Sequence, residues 1–149
     1  WQGIIIGLFV AQASFAKEAQ GGCTHKIDSF SCVQFLRNYD GDTFTVDIAS
    51  VHPLLGAQIT VRQEGIDAPE MHGKTACERQ AAFKAQQEAE KLLLNARRID
   101  LRDIKRDKYF RVLADVVVDG KSLREHMIRN HLAVAYDGGH KDKVNWCRM

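Results

Sequence analysis

Net charge is nearly absent from this chain. Its 149 residues carry 21 Lys and Arg against 19 Asp and Glu, a formal balance of +2. A polyanionic partner therefore could not be held by bulk attraction, and affinity for one would have to come from Lys and Arg clustered at a cleft. Internal repeats and low-complexity tracts are also missing, which sets aside solenoid and tail-like readings. No CxxC pair occurs among the four cysteines, and their irregular spacing makes a poor zinc site with His25, His72 or His140. The apolar run Ile4-Ile5-Ile6-Gly7-Leu8-Phe9-Val10 is too short to cross a bilayer comfortably. What is present is ordinary globular composition, 45% hydrophobic and 27% charged, enough for one domain with a real core and unlike a disordered chain.

That apolar run is followed by the small-residue segment Ser14-Phe15-Ala16, and no charge occurs before Lys17. The pattern matches the apolar region and cleavage site of a secretory signal. The expected organisation is a signal peptide over 1–16 with its start clipped, because Trp1 is preceded by neither an initiator Met nor a basic stretch. An N-terminal linker over 17–30 and a folded domain over 31–149 follow. The expected location is secreted or periplasmic, with no stable membrane association once the signal is removed. Four cysteines suit such an oxidising compartment. Three pairings are open; Cys23 with Cys32 and Cys77 with Cys147 are favoured, the second tying the C-terminal tail to a helix start.

From Ser31 the pattern turns to strands. Cys32-Val33-Gln34-Phe35-Leu36 runs into the hairpin signal Asp40-Gly41, and Phe44, Val46 and Ile48 then alternate with polar residues at the period of a half-buried strand. His52-Pro53-Leu54-Leu55-Gly56 breaks the pattern, and Ala57–Arg62 begins a third strand. Pro69 ends that segment, since it has no N–H for a ladder. Thr75-Ala76-Cys77-Glu78 reads as a capping box opening a long helix, with Ala82, Ala85, Ala89, Leu92, Leu93 and Ala96 at helical spacing. Arg98–Arg102 and Val112–Val118 supply two more strands. Ser122-Leu123-Arg124-Glu125 reads as a second capping box, with Leu123, Met127 and Ile128 on one side of a short helix. The expected fold class is α+β, a five-stranded barrel of the oligonucleotide/oligosaccharide-binding (OB) type, with a long helix after the third strand and a short C-terminal helix.

Four acids, Asp40, Asp42, Asp67 and Glu70, fall at a hairpin turn and at a strand exit, places that adjoining strands bring together. Carboxylate and carbonyl oxygens suit a hard cation such as Ca²⁺. An EF-hand is excluded, because Phe44 and Val51 stand where its fifth and twelfth loop positions need ligands. Arg62 lies on the strand leading to Asp67, and Arg111 follows the basic loop Lys105-Arg106-Asp107-Lys108-Tyr109. Two guanidinium groups could clamp a phosphate through paired hydrogen bonds, and with a cation they would favour the more negative transition state of phosphodiester cleavage. Taken singly, each acid reads as a turn or loop residue and the basic loop as a solvated one. Their conjunction carries the argument.

Asp40-Gly41-Asp42-Thr43, then Arg62 through Ile66-Asp67-Ala68-Pro69-Glu70, then Asp107-Lys108-Tyr109-Phe110-Arg111 occur in that order. In these motifs the chain resembles the staphylococcal nuclease (thermonuclease) family over nearly all of its mature length, and Tyr136-Asp137-Gly138-Gly139 with Trp146-Cys147 resembles the ending of exported bacterial members. The resemblance implies a Ca²⁺-dependent endonuclease that cleaves DNA and RNA, single-stranded or locally opened, to leave 3′-phosphates. It implies Asp42 and Asp67 as metal carboxylates with the Ala68 backbone carbonyl, Asp40 standing behind them, and Glu70 orienting or deprotonating the attacking water. Arg62 and Arg111 would hold the scissile phosphate, Lys108 and Tyr109 a terminal phosphate, and Tyr136 would stack on a base. No protein partner is inferred. The rival reading is a non-enzymatic OB-fold module that binds nucleic acid without cutting it. Three features depart from the family pattern: the four thiols, a C-terminal helix truncated or missing after Tyr136, and Phe110 where the family has a small residue.

Overall fold

Alternation of apolar and polar residues builds the first hairpin. Strands β1 (Gln34–Asn38) and β2 (Thr43–Asp47) pair antiparallel across the Asp40-Gly41 turn, with a register shift between Phe35 and Arg37. Phe44 and Val46 of β2 are buried, while the alternate Thr43, Thr45 and Asp47 are half-buried. The computed structural model describes residues 22–149, so the expected signal peptide and the first part of the linker lie outside the described residues.

After β2, where the sequence suggests only a break, His52 caps a one-turn helix, α1 (Pro53–Gly56). Strand β3 (Ile59–Gln63) returns antiparallel to β2, placing Thr43 opposite Arg62. Gly65 then takes a φ of 83°, a conformation that costs glycine little. This turn throws the short strand β4 (Ile66–Asp67) out of the sheet. Helix α2 (Ala76–Leu94) opens with the expected reciprocal capping box of Thr75 and Glu78, and buries Ala82, Ala85, Ala89 and Leu93. Small alanines on that face allow the helix to approach the sheet closely.

Strand β5 (Ile99–Arg106) runs further than its alternating pattern suggests, because a register shift between Arg102 and Lys105 breaks the period without ending the pairing. Strand β6 (Val112–Val118) pairs antiparallel with β5 and parallel with β3. Strand β7 (Lys121–Ser122) adds to the end of β6 and leads into helix α3 (Leu123–Arg129), which buries Leu123 and Met127. Ile128, expected beside them, is exposed. The second capping box is half formed: Ser122 accepts from the Glu125 amide at 3.4 Å, but the Glu125 carboxylate instead lies 3.9 Å from Arg129. Strand β8 (Val134–Ala135) pairs antiparallel with β4, and a 3-10 turn at Trp146–Arg148 ends the chain.

The main sheet has the order β1-β2-β3-β6-β5. Ahead of β1, Phe30 bridges Leu101 and the Val33 amide donates to the Ile99 carbonyl at 2.9 Å, so the chain preceding the first strand lies along the last and curls the sheet back on itself. The result is an α+β domain with an OB barrel of five principal strands. Its core is filled by Phe44, Val46, Val61, Ile66, Leu101, Val116, Leu123 and Met127. Gln63 is also fully buried, and its amide is satisfied by the Glu64 carbonyl, Asp115 and the Val116 amide. Both favoured disulfides are present. Cys23–Cys32 closes the N-terminal loop, and Cys77–Cys147 joins the start of α2 to the tail.

Candidate functional site

The site is built around the turn between β1 and β2. Asp40 holds that turn, its Oδ1 accepting the amides of Asp42 at 3.0 Å and Thr43 at 2.7 Å. Gly41 lets the turn press inward: a Cβ there would stand 2.9 Å from the Ala85 Cβ and 3.1 Å from the Ala68 Cβ. Asp42 is thereby driven into the interior, only 2% exposed. Its Oδ1 accepts from Arg62 Nη1 and, at 2.9 Å, from the Thr43 hydroxyl, while its Oδ2 accepts the Ala68 amide at 2.8 Å. Burial, reinforced by the neighbouring charge of Asp40, pushes the Asp42 carboxyl up to about 7, against the opposing pull of Arg62 and the Ala68 amide.

Arg62 joins two of the acids. It comes from β3 opposite Thr43, and its Nη2 lies 3.3 Å from both Asp67 Oδ1 and the Ile66 carbonyl. The Gly65 turn and β4 thus return the chain so that Asp42 and Asp67 face one guanidinium. Three residues on, past the buried Pro69, Glu70 is exposed. Its neighbour is Lys141 from the tail, whose Nζ lies 2.7 Å from Asp67 Oδ1 and 3.4 Å from Glu70 Oε1. Partial burial disfavours that ammonium, but its hydrogen bonds to Asp67 and Glu70 prevail and raise it above the ordinary lysine value. Sequence reasoning missed Lys141. Its only signal was a position shortly after the Tyr136-Asp137-Gly138-Gly139 motif.

Arg111 stands just ahead of the neighbouring strand β6. It immediately precedes Val112, which pairs with Val61, so strand alternation puts Arg111 and Arg62 on the face away from those two core valines. Asp107 folds the loop ahead of it, accepting the amides of Tyr109 and Arg111 and the Arg111 Nε at 2.7 Å. Although burial opposes it, the Arg111 side chain together with these amides holds the Asp107 carboxyl below its ordinary value. Among the described residues no hydrogen bond or ion pair joins Arg111 to Asp42, Asp67 or Glu70. Tyr109 is exposed, with Lys108 and Arg111 each 5.3 Å from its ring centre. Phe110 sits at φ 62°, a conformation that glycine adopts more readily than a residue with a Cβ, and is 81% exposed. Tyr136 is half-buried, its hydroxyl donating to the Gly139 carbonyl and its ring 5.8 Å from Lys141 Nζ.

Among the described residues no group of three His, Cys, Asp or Glu side chains forms a ready cation cage. The donor set at Asp42, Asp67 and the Ala68 carbonyl nevertheless consists of hard oxygens. One of its carboxylates, Asp42, is raised in pKa by burial and by the neighbouring charge of Asp40, so a further positive charge would favour its ionised form. That chemistry fits a hard divalent ion completed by water or substrate oxygens. Asp40, whose Oδ1 is occupied by the turn amides, fits a place behind such ligands.

Fold and site together define an OB barrel bearing an acid and arginine cluster on its strand ends. The chain belongs to the family described as staphylococcal nuclease homologue, whose model matches residues 60–145. That match spans Arg62, Asp67, Glu70, Arg111, Tyr136 and Lys141, and begins after the Asp40-Gly41-Asp42 turn. The chain is also 36% identical over 104 residues to Endonuclease YncB of Bacillus subtilis (strain 168), covering 67% of this chain and 46% of that protein. It therefore spans about half the length of that relative.

Proposed function

We propose that this chain is a Ca²⁺-dependent nuclease that hydrolyses phosphodiester bonds of DNA and RNA, single-stranded or locally opened, and leaves 3′-phosphate ends. The observation that carries the reading is Arg62 spanning Asp42 and Asp67, with Glu70 three residues further along the same segment. Family membership and the likeness to an endonuclease support it.

In this reading Asp42, Asp67 and the Ala68 carbonyl hold the ion, which when bound supplies positive charge against the phosphate oxygens. Glu70, exposed and with its carboxylate 3.4 Å from Lys141 Nζ, orients a water and takes its proton. Arg62 and Arg111 hold the scissile phosphate as its negative charge grows. Lys108 and Tyr109 contact a terminal phosphate, and Tyr136 offers a ring to a base. We further propose that the protein works outside the cytoplasm, a location that its two disulfides support.

The test is to incubate the protein with plasmid DNA or RNA in Ca²⁺ or in a chelator, then determine the ends of the products. Cleavage confined to Ca²⁺, with phosphate on the 3′ end, is expected. Intact nucleic acid in Ca²⁺ would defeat the proposal.

A further inference from the structure

The tail between β8 and the last disulfide is held at both ends. At one, the Tyr136 amide donates to the Gly65 carbonyl at 3.0 Å; at the other, Cys147 is bonded to Cys77 at the start of α2. Its turns are also pinned, Gly139 N donating to Asp137 Oδ1 at 2.9 Å and Cys147 N to Asn145 Oδ1 at 3.2 Å. The span so anchored carries Lys141 to Asp67 and Glu70, two acids that the proposed reaction needs for other work.

Resting on that reaction, we propose that Lys141 is an internal cation that occupies Asp67 and Glu70 in competition with the divalent ion, and that the Cys77–Cys147 bridge keeps it in place. The two cations facing Asp67 differ in how readily they can leave. The Arg62 side chain is 14% exposed and bonded to two acids and a backbone carbonyl, whereas the Lys141 side chain is 47% exposed. A lysine is a compact charge on a flexible stem, so it can swing into solvent without opening a cavity. While it remains, Asp67 Oδ1 is shared between Arg62 and Lys141 and offers less to an incoming ion. If the form with Lys141 withdrawn is populated about one tenth of the time, Ca²⁺ binds about tenfold more weakly than its intrinsic affinity for that form.

The experiment is a calorimetric titration of Ca²⁺ alone, without nucleic acid, into the parent and three variants. Lys141→Met should tighten Ca²⁺ binding by about tenfold, whereas Lys141→Arg, which keeps the charge, should bind Ca²⁺ no more tightly than the parent. Cys77→Ser with Cys147→Ser, which frees the tail, should tighten binding in the same direction. Equal or weaker Ca²⁺ binding by Lys141→Met would overturn the inference. So would a raised KM for an oligonucleotide with Ca²⁺ affinity unchanged, which would make Lys141 a substrate contact. A parent that neither binds Ca²⁺ nor cuts DNA defeats the proposed function instead, so the two failures are distinguishable.

Discussion

Arg62→Met is expected to destabilise the ion-free protein, and to do so more at pH 8 than at pH 5. The substitution keeps a comparable stem and removes a guanidinium bonded to Asp42 and Asp67, whose side chains are 3% and 14% exposed. Removing one partner from a buried ion pair typically costs about 3–5 kcal/mol, because the other charge is left unanswered. Asp42 sets the pH dependence. Its carboxyl is raised from 3.8 to about 7, so the folded protein keeps a proton that the unfolded chain has already released across that window. The parent should accordingly lose stability as pH rises from about 4 to about 7. At pH 5 the neutral Asp42 needs Arg62 as a hydrogen-bond donor more than as a counter-charge, and the loss falls to about 1–2 kcal/mol. Urea unfolding of parent and variant in chelator, at both pH values, measures the difference. A loss that is equal at the two pH values, or larger at pH 5, would refute the account of Asp42 as a buried carboxylate held by Arg62.

Three further outcomes follow from the geometry. Glu70→Gln and Arg111→Ala should each lower turnover by about 100-fold or more in a steady-state assay, with the unfolding midpoint little changed, since neither side chain is fully buried. Replacing Cys77 and Cys147 by serine removes a link across 70 residues and should cost about 4 kcal/mol of stability by the loop-entropy model, read from chemical unfolding. Gly41→Ala would force a Cβ to within 2.9 Å of the Ala85 Cβ, so a loss of about 1–3 kcal/mol is expected, together with weaker Ca²⁺ binding as Asp42 is displaced.

What the sequence disclosed depended on how local the signal was. The capping box of Thr75 and Glu78, the buried stripe of α2 and the alternation in β2 each arise within a few residues, and each has the expected form. The β5 bulge was hidden because a register shift leaves a strand paired while destroying its period. The half-formed capping box at Ser122 was hidden for a different reason. The same sequence pattern there also serves strand β7, and Glu125 faces Arg129 instead. At the site, Asp42, Arg62 and Asp67 could be brought together in thought because β2, β3 and the Gly65 turn follow one another in the chain. Lys141 lies 74 positions beyond Asp67 by residue number and reaches it only through β8 pairing and a disulfide, contacts that no local pattern encodes.

A net charge of only +2 acquires a sharper meaning once the ion pairs are traced. Arg62 is engaged by Asp42 and Asp67, Lys141 by Asp67 and Glu70, and Arg111 by Asp107. Arg62 and Arg111, the cations proposed to hold the scissile phosphate, are thus already answered by the protein's own acids. A phosphate must compete with those acids for Arg62, and the competition eases when Asp42 and Asp67 have another positive partner. Ca²⁺ and nucleic acid should therefore bind cooperatively, and by linkage each should tighten the other by the same factor, about 5- to 150-fold for an ordinary coupling of 1–3 kcal/mol. The Glu70→Gln background suppresses cleavage and permits the measurement: anisotropy of a labelled single-stranded oligonucleotide titrated with protein, in Ca²⁺ and in chelator, alongside Ca²⁺ calorimetry with and without the oligonucleotide. If oligonucleotide affinity is the same in chelator as in Ca²⁺, Arg62 is available to phosphate while still paired with its acids, and it exchanges no partner.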